Sequence, residues 1–215
     1  MAKPADNHVT YVFDAYCGWC HGFTPWLREA VADRPHLTVE VISGGLFTGT
    51  RRVPLRELTH IPTARHRVTQ VTRVEFGPAF LRLLDQGDFV MDSQDAAAGL
   101  AGLRALAPAK ALDFAAELSH AFYIEGLSLS DPATYRVLAT RHGLDSEAAA
   151  AVLSDPAHHT AARAEFTQAK DLGVDAFPTL FTDNGTGPRR LRSLGTSAQD
   201  LGRRIDSALG RDSPR

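Results

Sequence analysis

The sequence predicts an α/β protein, a four-stranded mixed sheet with flanking helices, split by a large all-helical insertion. Three observations predict it. His8-Val9-Thr10-Tyr11-Val12-Phe13-Asp14 is a β-branched and aromatic run; a helix-period segment and then the alternating run Leu37-Thr38-Val39-Glu40-Val41-Ile42 follow it, which together make a βαβ unit. From about Pro54 to about Asp171 the chain carries helical periodicity without a convincing strand. Strand character returns only at Thr179-Leu180-Phe181-Thr182 and at Arg190 to Leu194, and the turn-rich Asp183 to Pro188 between them reads as a hairpin connection.

The first strand stops within three residues of Cys17. From Gly18 to Asp33 the apolar or small positions Phe23, Trp26, Leu27, Ala30 and Val31 recur at helical spacing, and Arg34-Pro35 closes the helix. A right-handed crossover then lays the second strand parallel to the first. Ser43-Gly44-Gly45-Leu46-Phe47-Thr48-Gly49 breaks regular structure. In the insertion, helical periodicity runs over Gly77 to Asp85, Ser93 to Leu106, Ala109 to Ile124, Asp131 to His142, Ser146 to Leu153 and His158 to Leu172. Ser93, Asp131 with Pro132 at the first helical position, and Ser146 with Glu147 are the expected N-caps. Ser197 to Leu209 reads as a terminal amphipathic helix and Arg211 to Arg215 as a frayed tail. The expected division is residues 1–53 as the first half of a sheet domain, 54–171 as a helical insertion domain and 172–215 as the second half.

Composition narrows the function classes. Of 215 residues, 44% are hydrophobic and 22% charged, as in ordinary globular domains, and a formal charge of −2 gives no general electrostatic reason to bind nucleic acid or anionic membrane. Met1 to His8 holds one lysine and no apolar stretch before the first strand, and no apolar run approaches the roughly 18 residues of a membrane helix. The expectation is a cytoplasmic protein. Two cysteines three residues apart cannot form a disulfide framework of the secreted kind, so redox or metal chemistry leads.

The pair lies in Cys17-Gly18-Trp19-Cys20, where a strand ends and a helix begins. A thiolate is the nucleophile in disulfide exchange, and a free cysteine with a pKa of about 8.5 is mostly protonated at neutral pH. Unpaired N–H groups and the macrodipole at a helix start favour an anion, which suits Cys17 as the attacking residue and Cys20, one turn further in, as the resolving one. Three rivals compete. Cys17-Gly18-Trp19-Cys20-His21 matches the attachment sequence of c-type haem, but lacks an export context. Zinc would have to recruit histidines such as His158 and His159, whose adjacency on a helix points them about 100° apart. Two buried structural cysteines are the bland reading, which does not by itself place both at a strand-to-helix switch. Far downstream, Gly173 to Thr179 puts Pro178 immediately before a strand, where an ordinary trans proline is tolerated.

With both stretches placed, the chain resembles the DsbA-like thioredoxin superfamily, in its branch that includes FrnE-type proteins and 2-hydroxychromene-2-carboxylate isomerases. A sheet built from a βαβ half and a ββα half is the thioredoxin arrangement. Phe13 to Phe23 resembles the active-site entry, Ser43-Gly44-Gly45-Leu46 the loop after the second strand, Phe122 to Pro132 a helical-domain stretch, and Leu172 to Thr179 the segment holding a cis-proline. The resemblance implies that Phe177-Pro178 is cis and lies against the cysteines, with Phe177 offering backbone groups to an incoming peptide or thiol. Two departures stand out. Tyr11 occupies the position six before Cys17 where many relatives hold a buried carboxylate, so proton transfer to Cys20 needs another base or water. Gly18-Trp19 also differs from the Gly-Pro and Pro-His pairs of better-known relatives.

Around the pair, Trp19 is either a partly exposed wall of the site or a core tryptophan. His21 is either a cationic neighbour of Cys17 or a solvent-exposed helix residue, and Asp14 either a local hydrogen-bond acceptor or a tuner of the thiols. Arg51, Arg52, Arg65, His66, Arg67 and Arg73 form a basic stretch, read as a solvated face or as a grip on an anionic substrate such as glutathione. Asn184-Gly185-Thr186 matches a glycosylation sequon, discounted without a secreted context. The expected function is thiol–disulfide oxidoreductase, using no metal or cofactor beyond the dithiol and acting on substrate proteins or low-molecular-weight thiols, with glutathione as a candidate co-substrate. The alternative is a glutathione-dependent isomerase of the hydroxychromene-carboxylate kind; those relatives usually carry serine at the first cysteine position, and retention of both cysteines argues against it. A binding module with incidental thiols is the non-enzymatic reading.

Overall fold

The computed structural model describes residues 7–192 and 197–211, among which four strands form one mixed sheet. Strand β1 (His8–Phe13) pairs in parallel with β2 (Thr38–Ser43), from His8 opposite Thr38 to Phe13 opposite Ser43. It pairs antiparallel with β3 (Thr179–Asp183), from His8 opposite Asp183 to Val12 opposite Thr179, and β4 (Arg189–Leu191) continues antiparallel to β3. Central placement buries Val9 through Phe13 on both faces, which is why that run is almost uninterruptedly apolar. Val9, Tyr11 and Phe13 face one core, while Val12 joins Ile42 and Phe181 on the opposite face.

Helix α1 (Gly18–Ala32) buries Phe23, Leu27 and Ala30, the stripe its sequence predicts. Pro25 sits inside it, one turn beyond the cysteines; a proline there donates no N–H to the carbonyl of His21. Between β2 and β3 come α2 (Ile61–Thr72), α3 (Pro78–Gln86), α4 (Ser93–Leu106), α5 (Ala111–Tyr123), α6 (Pro132–His142), α7 (Ser146–Ala150) and α8 (Pro156–Asp171). Among the described residues, none of this stretch adds a strand to the sheet; an isolated bridge joins Pro54 to Val90 apart from it. One buried cluster runs from Val9 through Leu27, Leu100, Phe114 and Leu138 to Ile205 of α9 (Ala198–Ala208).

Several expectations need correction. Helix α2 was not foreseen, because Arg65, His66 and Arg67 interrupt its apolar positions and only Val68 and Thr72 are buried. The caps of α4 and α7 are Asp92 and Asp145, not Ser93 and Ser146; each aspartate accepts two backbone N–H bonds. A carboxylate suits the positive end of a helix better than a hydroxyl, and it takes the capping position from the serine beside it. Asp131 caps α6 as expected. The second hairpin strand ends at Leu191, and residues 193–194, 1–6 and 212–215, on which parts of the predicted strand, leader and tail fall, lie outside the described residues.

The insertion also closes the free edge of β2. Glu165 on α8 accepts from the Ser43 N–H at 2.7 Å and pairs with Arg104 of α4, which in turn donates to the Val41 carbonyl. Outward-facing backbone groups of an edge strand thus find side-chain partners instead of another chain. Replacing Glu165 with alanine leaves a mostly buried guanidinium and the Ser43 N–H unpaired. A loss of about 2–3 kcal/mol in unfolding free energy is expected, read from the denaturant midpoint, with secondary structure retained.

Candidate functional site

The cysteine pair is built by a turn between β1 and α1. Cys17 donates its N–H to the Asp14 carbonyl at 3.0 Å and takes the N-cap position of α1 in extended conformation. Its side chain makes no capping bond, so no side chain at this position competes for the first-turn N–H groups. Cys20 lies one turn inside. Both are free thiols, within hydrogen-bonding reach of one another. Cys20 is 0% exposed and burial pushes its pKa up, with the hydrogen bond and charge of Cys17 acting in the same direction. Cys17 is itself only 6% exposed.

What covers Cys17 is the downstream loop. The Phe177–Pro178 peptide is cis, and the Cys17 thiol donates to the Phe177 carbonyl at 3.5 Å. The Phe177 ring lies over Gly44, where a Cβ would fall 1.8 Å from a ring carbon, so the glycine after β2 is a condition of that placement. Cys17 and Phe177, 160 positions apart in the sequence, thus meet beside the cis bond to Pro178.

Asp14 is buried, and its carboxylate is fully engaged. Oδ1 accepts from the Tyr16 N–H and the Ser93 hydroxyl, both at 3.0 Å, and Oδ2 accepts from the Leu46 N–H at 2.8 Å. Burial raises its pKa, opposed by these three donors. Ser93, released from capping, also accepts from the Phe47 N–H at 2.9 Å. Tyr123 donates to the Tyr16 carbonyl, and the Tyr16 hydroxyl accepts from the Leu129 N–H at 3.2 Å. The three residues before Cys17 are therefore held by the loop after β2 and by the insertion.

Trp19 is half-buried and lines a cavity of about 170 Å³ with Cys17, Val68, Phe76 and Tyr123. Helix α2 and the loop after it wall this cavity, and Arg65 lies at it with its Nε buried and unpartnered; Nη2 meets only the His66 ring at 3.1 Å. The basic stretch thereby resolves into separate parts. Arg51 donates to the Gly45 carbonyl, Arg52 pairs with the buried Asp92 at 2.7 Å, and Arg67 and Arg73 are exposed. His158 and His159 meet the carbonyls of Val152 and Leu153.

His21 matches neither expectation. It is buried, stacked on Tyr123 at 4.9 Å between ring centroids, with Nε2 3.0 Å from the Glu75 carbonyl; a carbonyl only accepts, so Nε2 carries the proton. Burial lowers its pKa and keeps the ring neutral, which removes it as a cationic neighbour of Cys17. Because the unfolded chain binds this proton more readily, stability is full above the ordinary value of 6.5 and is lost as the pH falls through the folded value. Lowering the pH from about 7.5 to about 5 is expected to cost the wild type more stability than His21→Phe, compared as denaturant midpoints at each pH.

A mixed four-stranded sheet, with a cysteine pair opening the helix after its first strand and a cis-proline loop against it, defines a thioredoxin-type protein. The chain belongs to the DSBA-like thioredoxin domain family, whose profile matches residues 8–202. Among solved structures it is similar to the cytosolic disulfide reductase DsbM from Pseudomonas aeruginosa (24% identity, TM-score 0.80, covering 95% of this chain and 98% of that one). It is equally similar in fold to a putative protein disulfide isomerase from Nitrosomonas europaea (22% identity, TM-score 0.80, 97% and 100% covered). A 2-hydroxychromene-2-carboxylate isomerase shares the fold at 16% identity, with a TM-score of 0.62 and 95% of each chain covered. No curated protein sequence matches the chain.

Proposed function

We propose that this protein is a thiol–disulfide oxidoreductase in which Cys17 attacks and Cys20 resolves. The observation that carries the reading is the asymmetry of the pair. Cys17 stands at the open start of α1, touching the cis-proline loop and the cavity, whereas Cys20 is sealed behind it. The Cys17 thiolate attacks one sulfur of a substrate disulfide, forms a mixed disulfide and releases the other sulfur as a thiolate. Cys20 then attacks the Cys17 sulfur, closing the intramolecular disulfide and releasing the second substrate thiol. Electrons run the other way when the enzyme starts oxidised. Trp19, Phe177 and Pro178 line the approach to Cys17, and Asp14 holds the turn. We place the protein in the cytoplasm, where the resting dithiol favours reductase or isomerase work; the likeness to a cytosolic disulfide reductase supports this. Cys20→Ser is expected to accumulate mixed disulfides with oxidised glutathione that reductant releases, and Cys17→Ser to form none. Mass spectrometry of both variants decides it, and adducts formed chiefly through Cys20 would reverse the assignment.

The cavity bears on the substrate. An apolar cavity of about 150 Å³ holds a benzene ring, so the space of about 170 Å³ beside Cys17 suits one small group of a substrate rather than a peptide segment. The unpartnered Arg65 Nε at the same cavity favours a substrate with an anionic group. A low-molecular-weight disulfide such as oxidised glutathione meets both conditions, and DsbM has also been solved with GSH (25% identity, TM-score 0.77, 95% of this chain and 99% of that one). Arg65→Gln is expected to slow reaction with anionic dithiobis-nitrobenzoate about 10-fold while leaving neutral dithiodipyridine within about 2-fold. Equal slowing of both reagents would assign Arg65 a packing role only.

A further inference from the structure

Beneath the pair, away from the cavity, three fully buried residues form a chain of hydrogen bonds. The Thr24 hydroxyl lies 2.7 Å from the Cys20 carbonyl, to which it can only donate, so its single proton is committed there. Tyr11 Oη lies 2.8 Å from Thr24 Oγ1, and since Thr24 has no second proton, Tyr11 is the donor in that bond. The Tyr11 oxygen in turn faces the Cys20 side chain, whose charge adds to burial in raising the Tyr11 pKa. Tyr11 is thus tied through Thr24 to the turn of α1 that carries Cys20. Cys17, Asp14 and Tyr123 are the other titratable groups facing Cys20, and none of their side chains has a free proton to donate to it. Cys17 is bonded to the substrate sulfur in the mixed disulfide, the Asp14 carboxylate only accepts, and the Tyr123 hydroxyl donates to the Tyr16 carbonyl; the Asp14 backbone N–H also favours the Cys20 thiolate.

Resting on the oxidoreductase reading above, we propose that Tyr11 is the side-chain hydrogen-bond donor that stabilises the thiolate of Cys20 during resolution, by turning its O–H from Thr24 to the sulfur. In the step, Cys20 sulfur bonds to Cys17 sulfur, the mixed Cys17–S–S–R bond breaks, and R–S⁻ leaves. The proton lost by Cys20 passes to the departing thiolate where that thiolate is basic, as an alkyl thiolate is, and to water where it is not, as for nitrothiobenzoate. Burial raises the Tyr11 pKa, which keeps it a neutral donor throughout rather than a base. A donor bond to the thiolate is charge-assisted and so stronger than the bond to the Thr24 hydroxyl that it replaces. Thr24 holds the hydroxyl in the resting state and so competes with this turn.

Stopped-flow reaction of the reduced protein with equimolar dithiobis-nitrobenzoate separates the two steps. The first release of nitrothiobenzoate reports attack by Cys17, and the second reports resolution by Cys20; Cys20→Ser, which shows only the first, calibrates the assignment. Tyr11→Phe, which removes one oxygen and keeps the ring, is expected to leave the first phase within about 2-fold and slow the second about 10-fold. Thr24→Val frees the Tyr11 donor, so its second phase is expected to match or exceed that of the wild type. A Tyr11→Phe second phase within about 2-fold of wild type, or a Thr24→Val second phase slowed as much as that of Tyr11→Phe, overturns the proposal. A wild type releasing no nitrothiobenzoate overturns the oxidoreductase reading itself, which two wild-type phases with an unaffected Tyr11→Phe would leave standing.

Discussion

The constraint on which the site depends is the buried carboxylate of Asp14. Desolvation opposes its charge, and three donors from three separate places oppose that cost: the Tyr16 N–H in its own turn, the Leu46 N–H after β2, and the Ser93 hydroxyl at the start of α4. The same residue's carbonyl holds the Cys17 N–H. One side chain therefore fixes the entry to α1, the loop that carries Gly44 and Gly45, and the first turn of a helix from the insertion. A buried acceptor of this kind tolerates no partial satisfaction, because each orphaned donor brings its own desolvation penalty.

The consequences spread through the insertion. Tyr123 and the backbone of Leu129 hold Tyr16, which fixes α5 relative to the active-site turn, and the aromatic cluster of Phe76, Phe80, Phe122 and Tyr123 packs behind it with ring centroids 4.8 to 5.6 Å apart. Helix α2 then has little core left to bury. It lies across the space beside Cys17, turning what would be an exposed thiol into one wall of a small cavity. The access that the chemistry needs and the burial that the fold needs are reconciled by leaving that cavity unfilled. At Gly18 an added Cβ would meet Phe76, Tyr123 and Val68 only at ordinary contact distances, 3.7 to 3.8 Å, so packing alone does not demand the glycine there.

Where local pattern and tertiary context disagreed, the reasons are physical. Ser93 and Ser146 have the chemistry of caps, but an aspartate immediately before each does the same work with a charge, and Ser93 was thereby left for Asp14. His21 follows Cys20 in a sequence that says nothing of what lies outside the helix; Glu75 and Tyr123 bury it from 54 and 102 positions away and hold it neutral. Six basic residues that look alike in sequence have different surroundings, and among them half-buried Arg65 holds a buried nitrogen, its Nε, without a partner.

By itself the sequence determined the βαβ beginning, the helical middle and the returning hairpin, because strand and helix periods and turn residues are local signals. It also placed Cys17 and Cys20 at a strand-to-helix junction, since that placement needs only the order of neighbouring segments. Only the tertiary structure decided which groups surround those sulfurs. The Phe177 carbonyl, the Arg65 guanidinium, the Tyr11–Thr24 pair and the donors to Asp14 come from segments whose spacing carries no periodic signal. They meet because hydrogen bonds and desolvation act over a few ångströms of space whatever the separation along the chain.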